Sequence, residues 1–331
     1  MANGRVVPIE QARSAERPRC AARTADGKPC RNLADESGYC KRHQDTGREQ
    51  QPAPTAFQLW LADVLAFSRR RLTGDYPIDD IGFDRDLTEN VFLPILRPLF
   101  ERWFRVDQIG VENIPASGPA LLVSNHSGTV PMDALMMKYG VYEATGRHVR
   151  LLAADLVFTL PVVSEIGRKG GNTLACEEDS NRLLRAGEAL GVFPEGFKGI
   201  GKPFRERYKL RRFGRGGFVE VALRTGAPII PVSIVGAEEI YPIIADVKPL
   251  ARLLGFPYFP ITPFFPWLGP LGLIPLPSKW IVEFGEPILT DDVSDDAWQD
   301  PVTMFEMTDR VREEIQQTLY RNLMARRSVF Y

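Results

Sequence analysis

Apolar residues recur at helical spacing over residues 56–71, where Phe57, Trp60, Leu61, Val64 and Leu65 share a face that Leu72 extends. A period near 3.6 is the mark of one apolar helix stripe. A second helix is expected over 87–104 from Phe92, Ile95, Leu96, Leu99, Phe100, Trp103 and Phe104, with Pro94 and Pro98 tolerated only as kinks or near its start. Beyond it the pattern shortens. Compact apolar runs at 120–123, 149–153, 189–193, 229–235 and 280–284 read as strands. Helical stretches at 132–137, 179–187 and 216–224 fall between them. Strand–helix–strand alternation predicts an α/β fold with a mostly parallel central sheet flanked by helices. The tail, 302–326, sets Phe305, Val311, Ile315, Leu319 and Leu323 on one face and reads as a surface helix.

The remainder divides by composition. Residues 1–19 are polar and expected to be disordered, and 20–43 hold three of the four cysteines and one of the three histidines. Residues 44–56, rich in Gln, Pro, Ala and Thr, read as a linker, and 57–331 as one continuous domain. The 331 residues carry a net charge of −1, which gives no global reason to expect a nucleic-acid partner. No signal-peptide pattern opens the chain, and no run reaches the roughly 18–20 apolar residues of a membrane-spanning helix. The best candidate, 256–276, is interrupted by prolines at 257, 260, 263, 266, 270 and 275. Its aromatic residues (Phe256, Tyr258, Phe259, Phe264, Phe265 and Trp267) and the helices near 57–72 and 87–104 suit the interface of a bilayer. The expectation is a cytoplasmic protein, peripheral at the inner face of the membrane. Four cysteines in a chain of this length do not suggest a disulfide framework.

Candidate chemistry gathers at strand ends, where α/β domains bind ligands. Leu121-Leu122-Val123-Ser124-Asn125-His126-Ser127-Gly128 leaves the first strand and leads to Met132-Asp133. A neutral imidazole accepts a proton from an alcohol, and a carboxylate on its other nitrogen fixes the tautomer. Asp133 is the nearest acid downstream. Val192-Phe193-Pro194-Glu195-Gly196 ends another strand in a tight turn. A basic run follows, Lys198, Lys202, Arg205, Arg207, Lys209, Arg211, Arg212 and Arg215, with aromatic residues and glycines interleaved. It could hold phosphate or rest on an anionic bilayer. A serine hydrolase built on Ser127 is disfavoured, because no G-x-S-x-G elbow surrounds it.

Asn125-His126 with Asp133, then Phe193-Pro194-Glu195-Gly196, Ile230-Pro231-Val232 and Phe284-Gly285-Glu286-Pro287-Ile288, together resemble the lysophospholipid and glycerol-phosphate acyltransferase superfamily over residues of about 88–290. The resemblance implies that His126 deprotonates a lysolipid or glycerolipid hydroxyl, which attacks the thioester of acyl-CoA or acyl carrier protein, with Asp133 orienting His126. It assigns the acceptor to Asn125 and the Phe193, Pro194, Glu195 and Gly196 turn, with Glu195 contacting the acceptor or bracing the loop. Lys198 and Lys202 join that acceptor set. A degenerate intermediate motif, residues 166–172, leaves Arg168 or Lys169 to meet an acceptor phosphate. No cofactor is required for this chemistry. One departure stands out: six residues, with Gly128 and Pro131 among them, separate His126 from Asp133, where the family has four. The loop must therefore bulge to return the carboxylate. If it does not, the expected alternative is a catalytically impaired lipid- or partner-binding protein on the same fold.

Cys20, Cys30, Cys40 and His43 are spaced as a Cys3His set, resembling short zinc knuckles. A structural Zn2+ is expected, because so small a module has almost no core of its own. The surrounding Arg19, Arg23, Lys28, Arg31, Lys41 and Arg42 could contact phosphate. The purpose of the knuckle is not legible, and Cys176 stands apart from it.

Overall fold

The computed structural model describes residues 18–24, 27–44, 55–214, 216–290 and 296–330. Most of the expected disordered leader and of the linker lies outside the described residues. The chain forms two compact units, Met1–Arg69 and Arg70–Tyr331.

The larger unit is built on a central sheet. In chain order its strands are β1 (Asp107–Ile109), β2 (Ala120–Ser124), β3 (Val149–Ala153), β4 (Asn172–Leu174), β5 (Ala189–Val192), β6 (Ile229–Val235), β7 (Ala245–Asp246), β8 (Pro260–Ile261) and β9 (Ile281–Phe284). Seven of them form the central sheet, in the order β1-β9-β6-β2-β5-β3-β4. Strands β6, β2, β5, β3 and β4 run parallel, whereas β9 pairs antiparallel with β6 and parallel with β1. Strands β7 and β8 make a small antiparallel pair outside it.

Each face of the sheet has its own core, and alternation along the strands sends side chains to both. Ala120 and Leu122 of β2, with Ile230, Val232 and Ile234 of β6, join Met136, Met137, Phe104 and Trp280 on one side. Leu121 and Val123, with Ile229 and Val235, meet Leu183, Leu184, Val219 and Val221 from helices Glu177–Arg185 and Gly217–Thr225 on the other. The tail helix, Pro301–Ala325, closes that second face with Val311, Ile315 and Leu319 fully buried. Phe305, expected on the same stripe, is instead exposed near the helix start.

Three differences from the expected elements have physical causes. The helix over 87–104 is broken into Leu93–Pro98 between two wide π-turns, Thr88–Phe92 and Leu99–Trp103. Pro94 and Pro98 lack the N–H a regular ladder needs, and widened turns relieve the clash of their rings. Strands β1 and β4, three residues each, are too short to give a period. The connection 155–169 forms two helices, Asp155–Thr159 and Pro161–Lys169. Leu160, Val162, Val163 and Ile166 there are exposed, so no buried stripe marks them in sequence.

Candidate active site

The strand order reverses at β2, which lies between β6 and β5. The crevice above such a strand is where open α/β sheets hold ligands. Asn125 leaves β2 and is fully buried. Its side-chain N–H donates to the Ile234 carbonyl at 3.0 Å, and its Oδ1 accepts from the Ile234 N–H at 2.8 Å. Asn125, expected at the acceptor, therefore ties the loop to β6 instead, because both ends of its amide are taken by the Ile234 backbone.

His126 follows. Its Nδ1 lies 2.7 Å from Oδ2 of Asp133, a side chain with no exposure at all. The same Oδ2 accepts from the Ser127 N–H at 2.8 Å, and Oδ1 accepts from the Ala134 N–H at 2.8 Å. Asp133 sits in the first turn of helix Met132–Thr145, where free N–H groups and the helix dipole favour a carboxylate. The six-residue loop thus bulges and delivers Asp133, with Gly128 at φ +82 making the turn. With Nδ1 donating to the carboxylate, Nε2 carries the lone pair and can accept a proton. Among the described residues the buried Ser127 hydroxyl has no hydrogen-bond partner, so none of them activates it as a nucleophile.

The turn after β5 closes over the histidine. The Phe193 ring lies 4.5 Å from the His126 ring, tilted by 34°. Glu195 is buried, with Oε1 accepting the His126 N–H at 3.1 Å and Oε2 accepting the Arg211 N–H at 2.7 Å. Glu195 braces the loop; both its oxygens point into protein. Gly196 takes φ +54, and three residues on, a Cβ added to Gly199 would stand 2.7 Å from the Glu195 Cβ and 2.9 Å from the His126 carbonyl oxygen. Only glycine lets these two turns approach so closely.

The basic run sorts into different places. Lys202, expected at the acceptor, is enclosed with 1% side-chain exposure, pairing with Glu195 at 3.2 Å and Glu238 at 3.1 Å. Burial pushes the Glu238 carboxyl up to about 7, against the pull of Lys202. The run is also stapled to the tail helix: the Leu210 N–H donates to Gln316 Oε1 at 2.9 Å, and Gln316 Nε2 donates to the Tyr208 carbonyl at 2.8 Å. Lys198 is exposed on the short helix Phe197–Ile200, directly after the Glu195 turn. Arg168 is elsewhere. It lies in the last turn of the helix before β4, stacked 4.7 Å over the Phe158 ring, and Lys169 pairs with Glu165 at 2.6 Å. Three strand spacings, roughly 14 Å, separate β4 from β2. Residues 166–172 lie between the two motifs in sequence but not in space, because sequence order does not give strand order.

Sequence reasoning places Tyr258 among interfacial aromatics and does not bring it to this site. Its ring packs 3.5 Å from where a Cβ on Gly201 would stand, against the 196–201 turn. Burial pushes its hydroxyl up to about 12, with the nearby Asp133 charge adding in the same direction, so it remains a phenol. Also missed was a cavity of about 240 Å3 against the second face of the sheet, lined by Leu121, Leu152, Leu190, Val192, Phe218 and Val221. In the smaller unit, Cys20, Cys30, Cys40 and His43 bring one ligand atom each within 4.8 Å of one another.

The sequence model of the family described as Acyltransferase matches residues 105–235, which span β2 through β6 and both turns of this site. A Mycobacterium tuberculosis protein, Rv0502, described as uncharacterized, is 55% identical over 288 residues, covering 86% of this chain and 80% of its own. The Bos taurus "DGAT1/2-independent enzyme synthesizing storage lipids" is 26% identical over 216 residues, 65% of this chain and 59% of that one. Among solved structures, the 1-acyl-sn-glycerophosphate (LPA) acyltransferase PlsC from Thermotoga maritima aligns with a TM-score of 0.48 and 20% identity, covering 81% of this chain and 97% of its own. Residues 105–235 thus match the acyltransferase family, and at 55% identity over 80% of its length the chain shares one family with Rv0502.

Proposed function

We propose that the protein transfers a fatty acyl group from acyl-CoA or acyl carrier protein to a hydroxyl of a lysophospholipid or glycerolipid, with His126 as general base. The observation that carries this reading is the 2.7 Å contact between His126 Nδ1 and the wholly buried Asp133 carboxylate. Nε2 takes the hydroxyl proton as the oxygen attacks the thioester carbonyl. The oxygen–carbon bond forms, the carbon–sulfur bond breaks, and the departing thiolate recovers the proton from the imidazolium. Asp133 stabilises that imidazolium and holds the ring in its orientation. Phe193 walls the ring on one side, and Glu195 and Asn125 hold the loop from β5 and β6.

Lys198 is the cation best placed to meet an acceptor headgroup, since Lys202 is spent on Glu195 and Glu238. The bovine relative, described as synthesizing storage lipids, supports a lipid acceptor. A peripheral position on a membrane is supported by the apolar side chains exposed along 253–274: Leu253, Leu254, Trp267, Leu268, Leu271 and Ile274. No helix among the described residues is long and apolar enough to cross a bilayer. The long His–Asp spacing favours the alternative of a lipid- or partner-binding protein, and the closed His126–Asp133 contact supports the catalytic reading against it.

The test is turnover of radiolabelled acyl-CoA with lysophospholipid or diacylglycerol in mixed micelles. His126→Ala is expected to abolish transfer while the far-UV circular dichroism is unchanged. Turnover surviving in His126→Ala would reject His126 as base. Wild-type protein that binds vesicles without turnover on any acceptor would reinstate the binding reading.

A further inference from the structure

We infer that the smaller unit holds one structural Zn2+ ion, bound by the thiolates of Cys20, Cys30 and Cys40 and by Nδ1 of His43. This site lies outside the acyl-transfer reading and does not depend on it. Three of the six distances between the donor atoms match a tetrahedron around an ion of this size, and all four atoms lie within 4.8 Å of one another. Zinc–sulfur bonds of about 2.3 Å and zinc–nitrogen bonds of about 2.0 Å place tetrahedral sulfurs roughly 3.8 Å apart, and sulfur and nitrogen roughly 3.5 Å apart. The Cys30 and Cys40 sulfurs are 3.9 Å apart, and His43 Nδ1 lies 3.6 Å from the Cys20 sulfur and 3.5 Å from that of Cys40. A disulfide would need its sulfurs at about 2.05 Å, so the Cys30–Cys40 approach is not a bridge.

The local backbone is organised to aim these four groups inward. The Cys20 N–H donates to the Asn32 carbonyl and the Cys30 N–H to the Ala22 carbonyl, each at 2.9 Å. These bonds set residues 19–23 antiparallel to 29–33, with bridges at Arg19–Leu33 and Arg23–Pro29. Gly27 and Gly38 take positive φ at the turns ahead of Cys30 and Cys40. The His43 N–H donates to the Cys40 carbonyl at 2.7 Å, a turn that returns the imidazole to the sulfurs. The Asn32 side chain donates an N–H toward the Cys40 sulfur at 3.6 Å, the partner a metal-bound thiolate takes in its surroundings.

Energetics point the same way. Among the described residues of this module, the buried apolar cluster is the three cysteines, with Ala22 and Tyr39 against them. That is far too little surface to offset the ordering of some two dozen residues. Metal binding supplies what the core lacks. Three thiolates and one imidazole are soft and borderline donors, which excludes Ca2+ and Mg2+ and favours zinc, and with all four positions filled by protein no open site remains for catalysis.

The experiment uses the full chain, purified without chelator from zinc-supplemented cells. Elemental analysis is expected to give close to one zinc per chain, and Cys30→Ser and Cys40→Ser to lose most of it. Cys176→Ser and His126→Ala are expected to keep it. Trypsin should cut the 18–44 segment, which offers exposed Arg19, Arg31 and Lys41, only after a strong chelator is added. Cobalt reconstitution should give the intense visible bands of a tetrahedral thiolate site. The inference is overturned by a zinc-free wild-type chain, by copper or iron in zinc's place, by full zinc in Cys40→Ser, or by trypsin cleavage that chelation does not change.

Discussion

Asp133 touches no bulk solvent, and its two oxygens accept three N–H groups, one of them from His126. Asp133→Asn would keep the volume but replace one acceptor oxygen with an NH2 group, which in the Oδ1 place faces the Ala134 N–H and in the Oδ2 place faces the Ser127 N–H and donates to His126 Nδ1. The neutral ring would then hold its proton on the wrong nitrogen. We expect kcat to fall on the order of 10²–10⁴-fold with KM little changed, measured as acyl-CoA turnover. A tenfold or smaller loss would show that Asp133 is not orienting the base. Gly199 gives a second residue-level prediction. A methyl there meets the Cβ of Glu195 and the main chain of His126, neither of which is the far end of a flexible side chain. Gly199→Ala should cut kcat roughly tenfold or more while the thermal midpoint shifts by only a few degrees, because the displacement falls on the loop and not on the core. Wild-type kcat in Gly199→Ala would disprove the close packing. His126 and Asp133 were legible as a pair from residue type and strand-end position. Gly199 and Tyr258 were not, since their importance lies in what comes within 4 Å of them across the fold.

Helix Met132–Thr145 carries Asp133 at its start and, further along, a lysine that the site does not use. Lys138 is 4% exposed, donates to the Gly170 carbonyl, and lies 5.6 Å from the Phe83 ring. Burial pulls its amine down to about 7 from 10.5, and Arg150 adds to the effect. Between those two pH values the unfolded chain holds a proton that the folded chain does not. Stability from this group therefore rises with pH across the window and is lost as pH falls through 7. Lys138→Met removes the titration and the Gly170 hydrogen bond together; the second loss is the same at every pH. Urea midpoints at about pH 6.5, 8 and 9.5, which run from below the window to well inside it, should show wild type gaining on Lys138→Met as pH rises. Parallel curves would refute a depressed Lys138. The long apolar strands β2, β3, β5, β6 and β9 were legible because a strand covered on both faces must be largely apolar on both. Lys202 departs from the rest of the basic run for the converse reason: charge in sequence suggests solvent, and Lys198, Arg205, Arg207, Lys209 and Arg212 are exposed, yet Lys202 is buried because Glu195 and Glu238 lie beside it, from two other segments.

Across the larger unit, the turn that covers His126 rests on Tyr258, and Tyr258 opens the proline-rich segment whose later residues are exposed and apolar. Trp267 is 72% exposed and Leu271 65%, in a stretch where prolines keep the backbone from forming a regular α-helix that could bury them. Sequence alone identified this stretch as apolar and non-spanning. It did not connect the stretch to the turn over His126, because the packing of the Tyr258 ring against Gly201 exists only in the folded chain. An acceptor dissolved in a bilayer must reach a loop the protein holds at the surface, and a docking patch joined to that loop would shorten its path out of the lipid. Trp267→Glu with Leu271→Glu should reduce sedimentation with anionic phospholipid vesicles roughly fivefold or more and lower turnover on vesicle-borne acceptor in proportion. Turnover on a short-chain acceptor in free solution should stay within about twofold of wild type, since neither residue belongs to the His126 loop or the turn that covers it. Loss of both activities together would mean that the segment supports the turn over His126 structurally, and unchanged sedimentation would refute this segment as a membrane contact.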